Sequence, residues 1–254
     1  MTRQDLAICV ERALRAAGDP GRAEREKRYL KSELEHVGAS VPTIRRIVKA
    51  ELAARGPLSH DELIDCVSAL WTRQVHECRM AAVELLELRQ DALRASDIDL
   101  IERLLRESRT WALVDGLAAS VVGDLVESYP ELSETLDRWS TDEDFWIRRS
   151  ALIALLLPLR RGRGDFERFG RYADAMLEER EFFIRKAIGW VLRDTARNRP
   201  ELVFEWLAPR AARASGVTIR EAQKHLSAEQ RGEIAAARSL GPKSGSGTPL
   251  DDGQ

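Results

Sequence analysis

The chain has 254 residues, of which 44% are apolar and 32% charged, and its formal net charge is −2. This length and apolar content can bury a sizeable core, while the near-neutral charge does not point to a nucleic-acid binder. Charged residues interrupt every apolar run before the length of about 18 residues that a membrane span needs, and they exclude a secretory signal at the N-terminus. We therefore expect a cytoplasmic protein with no membrane partner.

The predicted elements are all helices, because apolar residues recur with a 3.6-residue period and no segment alternates as a strand would. In chain order they are 2–17, 20–37, 42–55, 59–72, 74–89, 97–106, 109–127, 130–140, 144–158, 165–179, 181–198, 200–214, 217–226 and 228–237. Gly/Pro breaks with Ser, Thr or Asp caps separate them. Residues 238–254 are rich in Gly, Ser and Pro, so we expect a disordered tail after one domain over 1–237.

A weak repeat runs along these helices. Its motif is an Arg followed by small or apolar residues, as in "WIRRSALIALL" and "FIRKAIGWVL". The leading arginines are Arg45, Arg79, Arg148, Arg185 and Arg220. The gap between Arg79 and Arg148 is two periods long and leaves one slot near residue 114. Helix-pair repeats of this period predict an all-α fold, a HEAT-like α-solenoid whose pairs stack into a curved superhelix.

The position after each leading arginine aligns Asp115, in "WALVDG", with Arg149 and Lys186 of the next two repeats, and Glu221 follows in the same register. Equivalent positions of stacked repeats line up along one face. Trp111 lies one helical turn before Asp115, and Trp190 lies one turn after Lys186. The repeat therefore predicts a carboxylate, two cations and two indoles in a row.

Two interpretations of Asp115 stay open on the residues alone. An unpaired buried carboxylate is costly, so the acid either belongs to a site or forms a structural ion pair with Arg149. Gly189, inside a predicted helix, costs about 1 kcal/mol relative to Ala and indicates close packing or access beside Trp190. The remaining tryptophans are assigned to the core (Trp71, Trp139, Trp206) or to either core or site floor (Trp146).

Cysteines and histidines give no sign of a metal site. The chain has Cys9, Cys66 and Cys78, and His36, His60, His76 and His225. No cysteine pair has zinc-ligand spacing, and the odd number fits a reduced, cytosolic protein. The histidines lie apart in sequence and form no HExxH-type pair. We expect no metal and no cofactor.

A cleft with indoles, a carboxylate and arginines suits chemistry on nucleic acid. Indole faces and an ionised Asp attract cations, whereas arginines bind phosphates. Hydrolysis of an N-glycosidic bond develops positive charge on the sugar, which such a cleft would stabilise.

The motifs "TWALVDGLA", "FWIRRSALIALL" and "FFIRKAIGWVLRDTARNRPELVFEWL" resemble the DNA alkylation repair glycosylases of the AlkD type, and the resemblance covers roughly residues 25–228. It implies a monofunctional alkylpurine-DNA glycosylase that hydrolyses the N-glycosidic bond of cationic N3- or N7-alkylated purines in duplex DNA and leaves an abasic site. It also implies catalytic roles for Trp111, Asp115 and Trp190. The candidate DNA contacts are Arg149, Arg148, Arg185, Lys186 and Arg193. We expect a bacterial, monomeric protein associated with the nucleoid through DNA.

The alternative is a non-enzymatic helical-repeat module that binds branched or damaged DNA, or a protein partner. Residues 141–231 are net basic and residues 1–140 net acidic, which suits either function. The acid discriminates between them, because a carboxylate facing phosphates is unfavourable unless it does chemistry or is neutralised by Arg149.

Overall fold

The structure, a computed structural model, describes residues 4–56 and 58–239. Its helices are α1 (Gln4–Ala16), α2 (Pro20–Leu30), α3 (Val41–Arg55), α4 (His60–Trp71), α5 (His76–Leu88), α6 (Ile98–Ser108), α7 (Trp111–Gly116), α8 (Gly123–Ser128), α9 (Ser133–Trp139), α10 (Phe145–Ile153), α11 (Leu156–Arg160), α12 (Phe166–Ala175), α13 (Phe182–Ala196), α14 (Pro200–Leu207), α15 (Gly216–Ala222) and α16 (Ala228–Ser239). A π-helical segment, Leu117–Val122, joins α7 to α8. Over the described ranges there is no named strand, and one isolated bridge joins Glu35 to Val75. The predicted all-α class is confirmed.

Helix starts follow the caps written in the sequence. A side-chain oxygen just before the helix accepts a backbone N–H of its first turn, which satisfies a donor that has no partner within the helix. The capping residues are Asp19, Ser40, Ser59, Thr110, Asp144, Asp165, Glu181 and Ser215. Most of them fall within a residue or two of the predicted helix starts.

Two compact units divide the chain between Leu157 and Pro158. In the first unit, α5 packs against α3 and α4, and α10 packs against α6 and α7. In the second unit, α13 packs against α14 and α15. Trp71 and Trp139 are buried, as predicted, and so is Trp146, which the sequence left as either core or site floor. The core assignment of Trp206 was wrong: this side chain is partly exposed and stacks under the Arg210 guanidinium, 4.7 Å from its ring centre.

Side chains of successive repeats hold each unit together. Hydrogen-bonded pairs separated by 34 to 39 residues recur along the chain. They are Arg45–Glu84, Trp71–Glu107, Arg106–Asp142 and Trp139–Glu102 in the first unit, and Arg160–Asp194 and Arg210–Asp174 in the second. The period of the arginine motif is therefore the period of the packing.

The largest difference from prediction lies at the end of α2, which stops at Leu30 instead of continuing to residue 37. Lys31 adopts a left-handed conformation (φ 49°), and Gly38 has φ 82°. The Glu77 carboxylate, from α5, accepts the backbone N–H groups of Val37 and Gly38. An acid about forty residues away thus holds this loop, and local periodicity carries no trace of it.

The C-terminal helix extends through Ser239, so residues 238–239 of the predicted tail are helical and residues 240–254 lie outside the described residues. The single domain expected over residues 1–237 stays a prediction. Cys9, Cys66 and Cys78 are free thiols. Over the described ranges, no helix combines the length and apolar character required for crossing a membrane.

Candidate active site

Trp111 and Asp115 lie on one face of α7, as their spacing predicts. Thr110 caps the helix by accepting the Ala112 N–H at 3.4 Å. Leu113 and Val114 are fully buried, whereas Trp111 and Asp115 are both partly exposed. The apolar side of α7 therefore anchors the helix, and its indole and carboxylate face outwards on the first unit.

The Asp115 carboxylate forms a two-pronged ion pair with Arg149 of α10. Arg149 Nε donates to Oδ1 and a terminal nitrogen donates to Oδ2, each at 2.8 Å. The side chain of Arg149 is 3% exposed and that of Asp115 is 17% exposed. The two register positions predicted to align are thus in direct contact, and the ion pair that the sequence left open is present.

Burial raises the pKa of Asp115 above its ordinary value, and the hydrogen bonds from Arg149 oppose that rise. A guanidinium is permanently charged and matches a carboxylate fork to fork, so the pairing favours the ionised form of Asp115. Each carboxylate oxygen has two lone pairs, and Arg149 takes one from each. The exposed edge of Asp115 therefore keeps acceptor capacity for a cationic group.

Close packing and a π-helical segment hold α7, the helix that carries Trp111 and Asp115. A Cβ at Gly116 would lie 2.9 Å from Val83 Cγ1 of α5, so a larger residue would push α7 away. The π segment Leu117–Val122 follows directly. Such segments are rare and recur at functional sites.

Tyr29 is a site residue that the sequence did not reveal. Its ring is 63% exposed and meets the Trp111 indole edge-on at 6.2 Å. The two rings border an apolar recess of about 210 Å³ that Val41, Ile44 and Met80 also line. The only sign in the sequence that Tyr29 is exposed is its position in a helix whose other residues are mostly charged.

His36 and His76 also come together unexpectedly. Their rings stack in parallel with centres 4.5 Å apart, although the sequence separates them by forty residues. One ligand atom each of Glu26, His36 and Glu77 lie within 4.8 Å of one another, a spacing that could hold a metal ion. Separation along the chain was therefore a poor guide to separation in space.

The second unit carries Trp190 on α13, partly exposed, and its predicted cationic neighbours are engaged within the protein. Lys186 Nζ donates to Glu221 at 2.6 Å, and Arg193 also binds Glu221. Burial alone would raise the pKa of Glu221, but hydrogen bonds from Lys186 and Lys224 lower it to about 2. Lys186 and Glu221 are again register positions of successive repeats in contact.

Two leading arginines of the motif, Arg148 and Arg185, donate hydrogen bonds to backbone carbonyls. Arg148 donates to the carbonyls of Asp142 and Glu143, and Arg185 donates to the carbonyl of Glu179. Each guanidinium thus ties its helix to the turn before it. DNA contact by these arginines stays a prediction, as does the convergence of Trp190 with the Trp111–Asp115 face.

Comparison with known proteins agrees with this architecture. The family model described as "DNA alkylation repair enzyme" matches residues 10–226. A solved structure titled as a predicted DNA alkylation repair enzyme from Enterococcus faecalis has 22% identity and a TM-score of 0.73, covering 83% of this chain and 97% of its own. AlkD2 from Streptococcus mutans has 16% identity and a TM-score of 0.58, covering 81% of this chain and 100% of its own.

The comparison with curated proteins gave no match. At sequence identities of 22% and 16%, the similarity to these solved structures shows the fold alone, which is the helical fold described above. The family model spans most of the chain, including α7, α10 and α13, and thereby confirms the resemblance noted in the sequence. This chain belongs to the DNA alkylation repair enzyme family.

Proposed function

We propose that the protein is a monofunctional DNA glycosylase that excises cationic N3- or N7-alkylated purines from duplex DNA and leaves an abasic site. The observation that carries the proposal is the partly exposed Asp115 carboxylate, fixed by the buried Arg149 and set one turn from the Trp111 indole. A carboxylate held in this way is already oriented before substrate binds, which is what electrostatic stabilisation of a transition state requires.

The proposed chemistry follows from charge. Cleavage of the bond between an alkylated purine and its deoxyribose leaves a neutral base and an oxocarbenium-like sugar. Asp115 would stabilise that positive charge and orient the attacking water, while the Trp111 face would support the sugar by cation–π attraction. Arg149 would position Asp115, since its guanidinium donates two hydrogen bonds to that carboxylate.

The deciding experiment measures release of free base from methylated duplex DNA by the native protein, by Asp115→Asn and by Asp99→Asn. Asp99 is an exposed acid on α6 and serves as the matched control. Asp115→Asn should lower the rate by at least about 100-fold, because a charge that stabilises the transition state is lost. Asp99→Asn should leave the rate unchanged.

Two controls make the outcome specific. Asp115→Asn weakens an ion pair with a buried guanidinium, so thermal unfolding must show that the variant is folded at the assay temperature. Affinity for unmodified duplex should change little, and an equal loss of affinity and rate would contradict the catalytic role. Failure of the native protein to release any base would favour a DNA-binding helical-repeat module, in which the Asp115–Arg149 pair is structural.

A further inference from the structure

A second, polar pocket lies beside the start of α7 in the first unit. It has a volume of about 410 Å³ and is formed by the end of α2, the turn before α5 and the turn between α6 and α7. Three cationic side chains line it: Lys31, Arg79 and Arg109. Arg109 and Thr110, which also lines the pocket, directly precede Trp111, so the pocket adjoins the candidate active site along the chain.

Arg79 is the buried member of this set. Arg79 is only 9% exposed. Its guanidinium carbon lies over the Trp71 ring, 5.1 Å from the ring centre. One terminal nitrogen donates to the Glu107 carbonyl at 2.9 Å, yet the Nε is buried and has no hydrogen-bond partner. A buried charged donor without a partner is costly, so an acceptor supplied by a ligand would relieve it.

Lys31 and Arg109 stand at the mouth of the pocket. Both are exposed, and within residues 4–56 and 58–239 neither head group has a hydrogen-bonded or ion-paired partner. Burial lowers the pKa of Arg79, and the nearby charge of Arg109 contributes to the same shift. Like charges that face one cavity repel each other, and an anion between them would turn that repulsion into attraction.

Hydroxyl groups complete the set of donors. Ser32 Oγ accepts the Leu34 N–H and Thr110 Oγ1 accepts the Ala112 N–H, so each hydroxyl still has its proton to donate. Glu33 and Glu107 also line the pocket, and the five charged side chains together carry one net positive charge. That balance suits an anion of low charge, such as a phosphate group.

We propose that this pocket binds a phosphate group, and that the group is a backbone phosphate of the DNA strand whose damaged nucleotide lies at Trp111. The choice of DNA as its source rests on the proposed function. Free inorganic phosphate offers the same chemistry and is distinguished by experiment.

The test uses the double variant Lys31→Gln/Arg109→Gln and the single variant Arg103→Gln. Arg103 is an exposed arginine of α6, the helix that ends just before Arg109, and it does not line the pocket. Affinity for an unmodified duplex is measured over a range of NaCl concentrations. Losing one phosphate contact should weaken binding roughly tenfold at about 0.1 M salt and reduce the slope of log K against log salt by about 1.

A second arm uses sodium phosphate without DNA. At constant ionic strength, phosphate in place of chloride should raise the unfolding temperature of the native protein and of Arg103→Gln, and should not raise that of the double variant. Loss of the phosphate effect with unchanged DNA binding would assign the pocket to free phosphate and reject DNA as the source.

The proposal is overturned if the double variant matches the native protein in both arms, or if Arg103→Gln loses as much DNA affinity as the double variant. Neither arm depends on base release. The pocket can therefore be tested even if the protein has no glycosylase activity. If the protein is an active glycosylase and these substitutions change neither arm, only the phosphate pocket is rejected.

Discussion

Arg149 is buried, whereas the seven other predicted site residues are partly exposed. This difference separates their tasks. In the proposed reaction, the buried Arg149 guanidinium, which makes two 2.8 Å hydrogen bonds to one carboxylate, would position that group, while the exposed edge of Asp115 would meet the substrate. The identity of the cation then matters, because only arginine offers the planar fork that holds both oxygens.

Replacing Arg149 by Lys should move the acid limit of base release to higher pH. Asp115 must be ionised to act, so activity is lost as the pH falls through its folded pKa. Burial already raises that pKa, and Arg149 opposes the rise; with only one hydrogen bond left, we expect the pKa to rise further. Rates of base release measured across the acidic range test this, with Arg103→Lys as the control. An unmoved acid limit would mean that Arg149 does not tune Asp115.

The stacked histidines should make the folded state sensitive to acid. Burial lowers the pKa of His76 to about 3, from an ordinary value of 6.5. The unfolded chain therefore binds the proton first, and stability is lost as the pH falls from about 6.5 towards 3, by about 1.4 kcal/mol per pH unit. Urea unfolding of the native protein and His76→Gln at several pH values isolates this slope as their difference. A stability difference that does not change with pH would contradict this expectation.

At the scale of the elements, two glycines in helices have opposite surroundings. A Cβ at Gly189 of α13 would lie 2.8 Å from Glu221 Cβ and 3.1 Å from the Thr218 carbonyl oxygen, both on the facing α15. A Cβ at Gly232 of α16 would meet nothing within 4 Å. The first glycine serves close helix packing, as its place beside Trp190 suggested, and the second does not.

Gly189→Ala should therefore destabilise the protein by about 1–3 kcal/mol, since α13 and α15 would have to separate. Gly232→Ala should stabilise it by about 0.5–1 kcal/mol, because alanine reduces the entropy of the unfolded chain without a clash. Chemical denaturation of the two variants beside the native protein measures both values. If both substitutions stabilised the protein, α13 and α15 would be able to separate at a lower cost than the short distances at Gly189 indicate.

Helix existence was predictable because caps and apolar periodicity are local signals. The arginine repeat also indicated which residues of neighbouring repeats correspond, because its register aligns Asp115 with Arg149 and Lys186 with Glu221. Both pairs are in contact in the structure. The early end of α2 was not predictable, because Glu77 holds that loop from a distant helix. Tyr29 and the His36–His76 stack were missed for the same reason: nothing in a linear sequence reports which side chains of different helices face each other.

At the scale of the whole molecule, a recurring set of charged side chains within residues 4–56 and 58–239 links one repeat to the next. Ion pairs between residues about one repeat apart account for many arginines that a basic DNA-binding surface would use. The small net charge of −2 reflects nearly equal numbers of basic and acidic residues, 40 and 42, and does not show which of them are paired. Net charge is therefore a poor measure of DNA affinity in this protein, and what matters is which ion pairs can open when phosphate arrives.

Glu221 is the clearest test, because Lys186, Arg193 and Lys224 all bind its carboxylate. If the predicted contacts of Lys186 and Arg193 with DNA are real, these side chains must leave Glu221, and that acid competes with phosphate. Glu221→Gln should then raise affinity for an unmodified duplex about three- to tenfold and steepen its salt dependence. Glu201→Gln, an exposed acid of the same unit, changes net charge equally and should have a smaller effect.

Thermal unfolding of the same variants separates the two roles of this cluster. Lower stability of Glu221→Gln without a gain in DNA affinity would make the cluster a purely structural link between α13 and α15. A gain in affinity with a steeper salt slope would place Lys186 and Arg193 on the DNA. Because those cations lower the pKa of Glu221 to about 2, the acid stays ionised over the working range of pH, and it would hold its cations until phosphate displaces it.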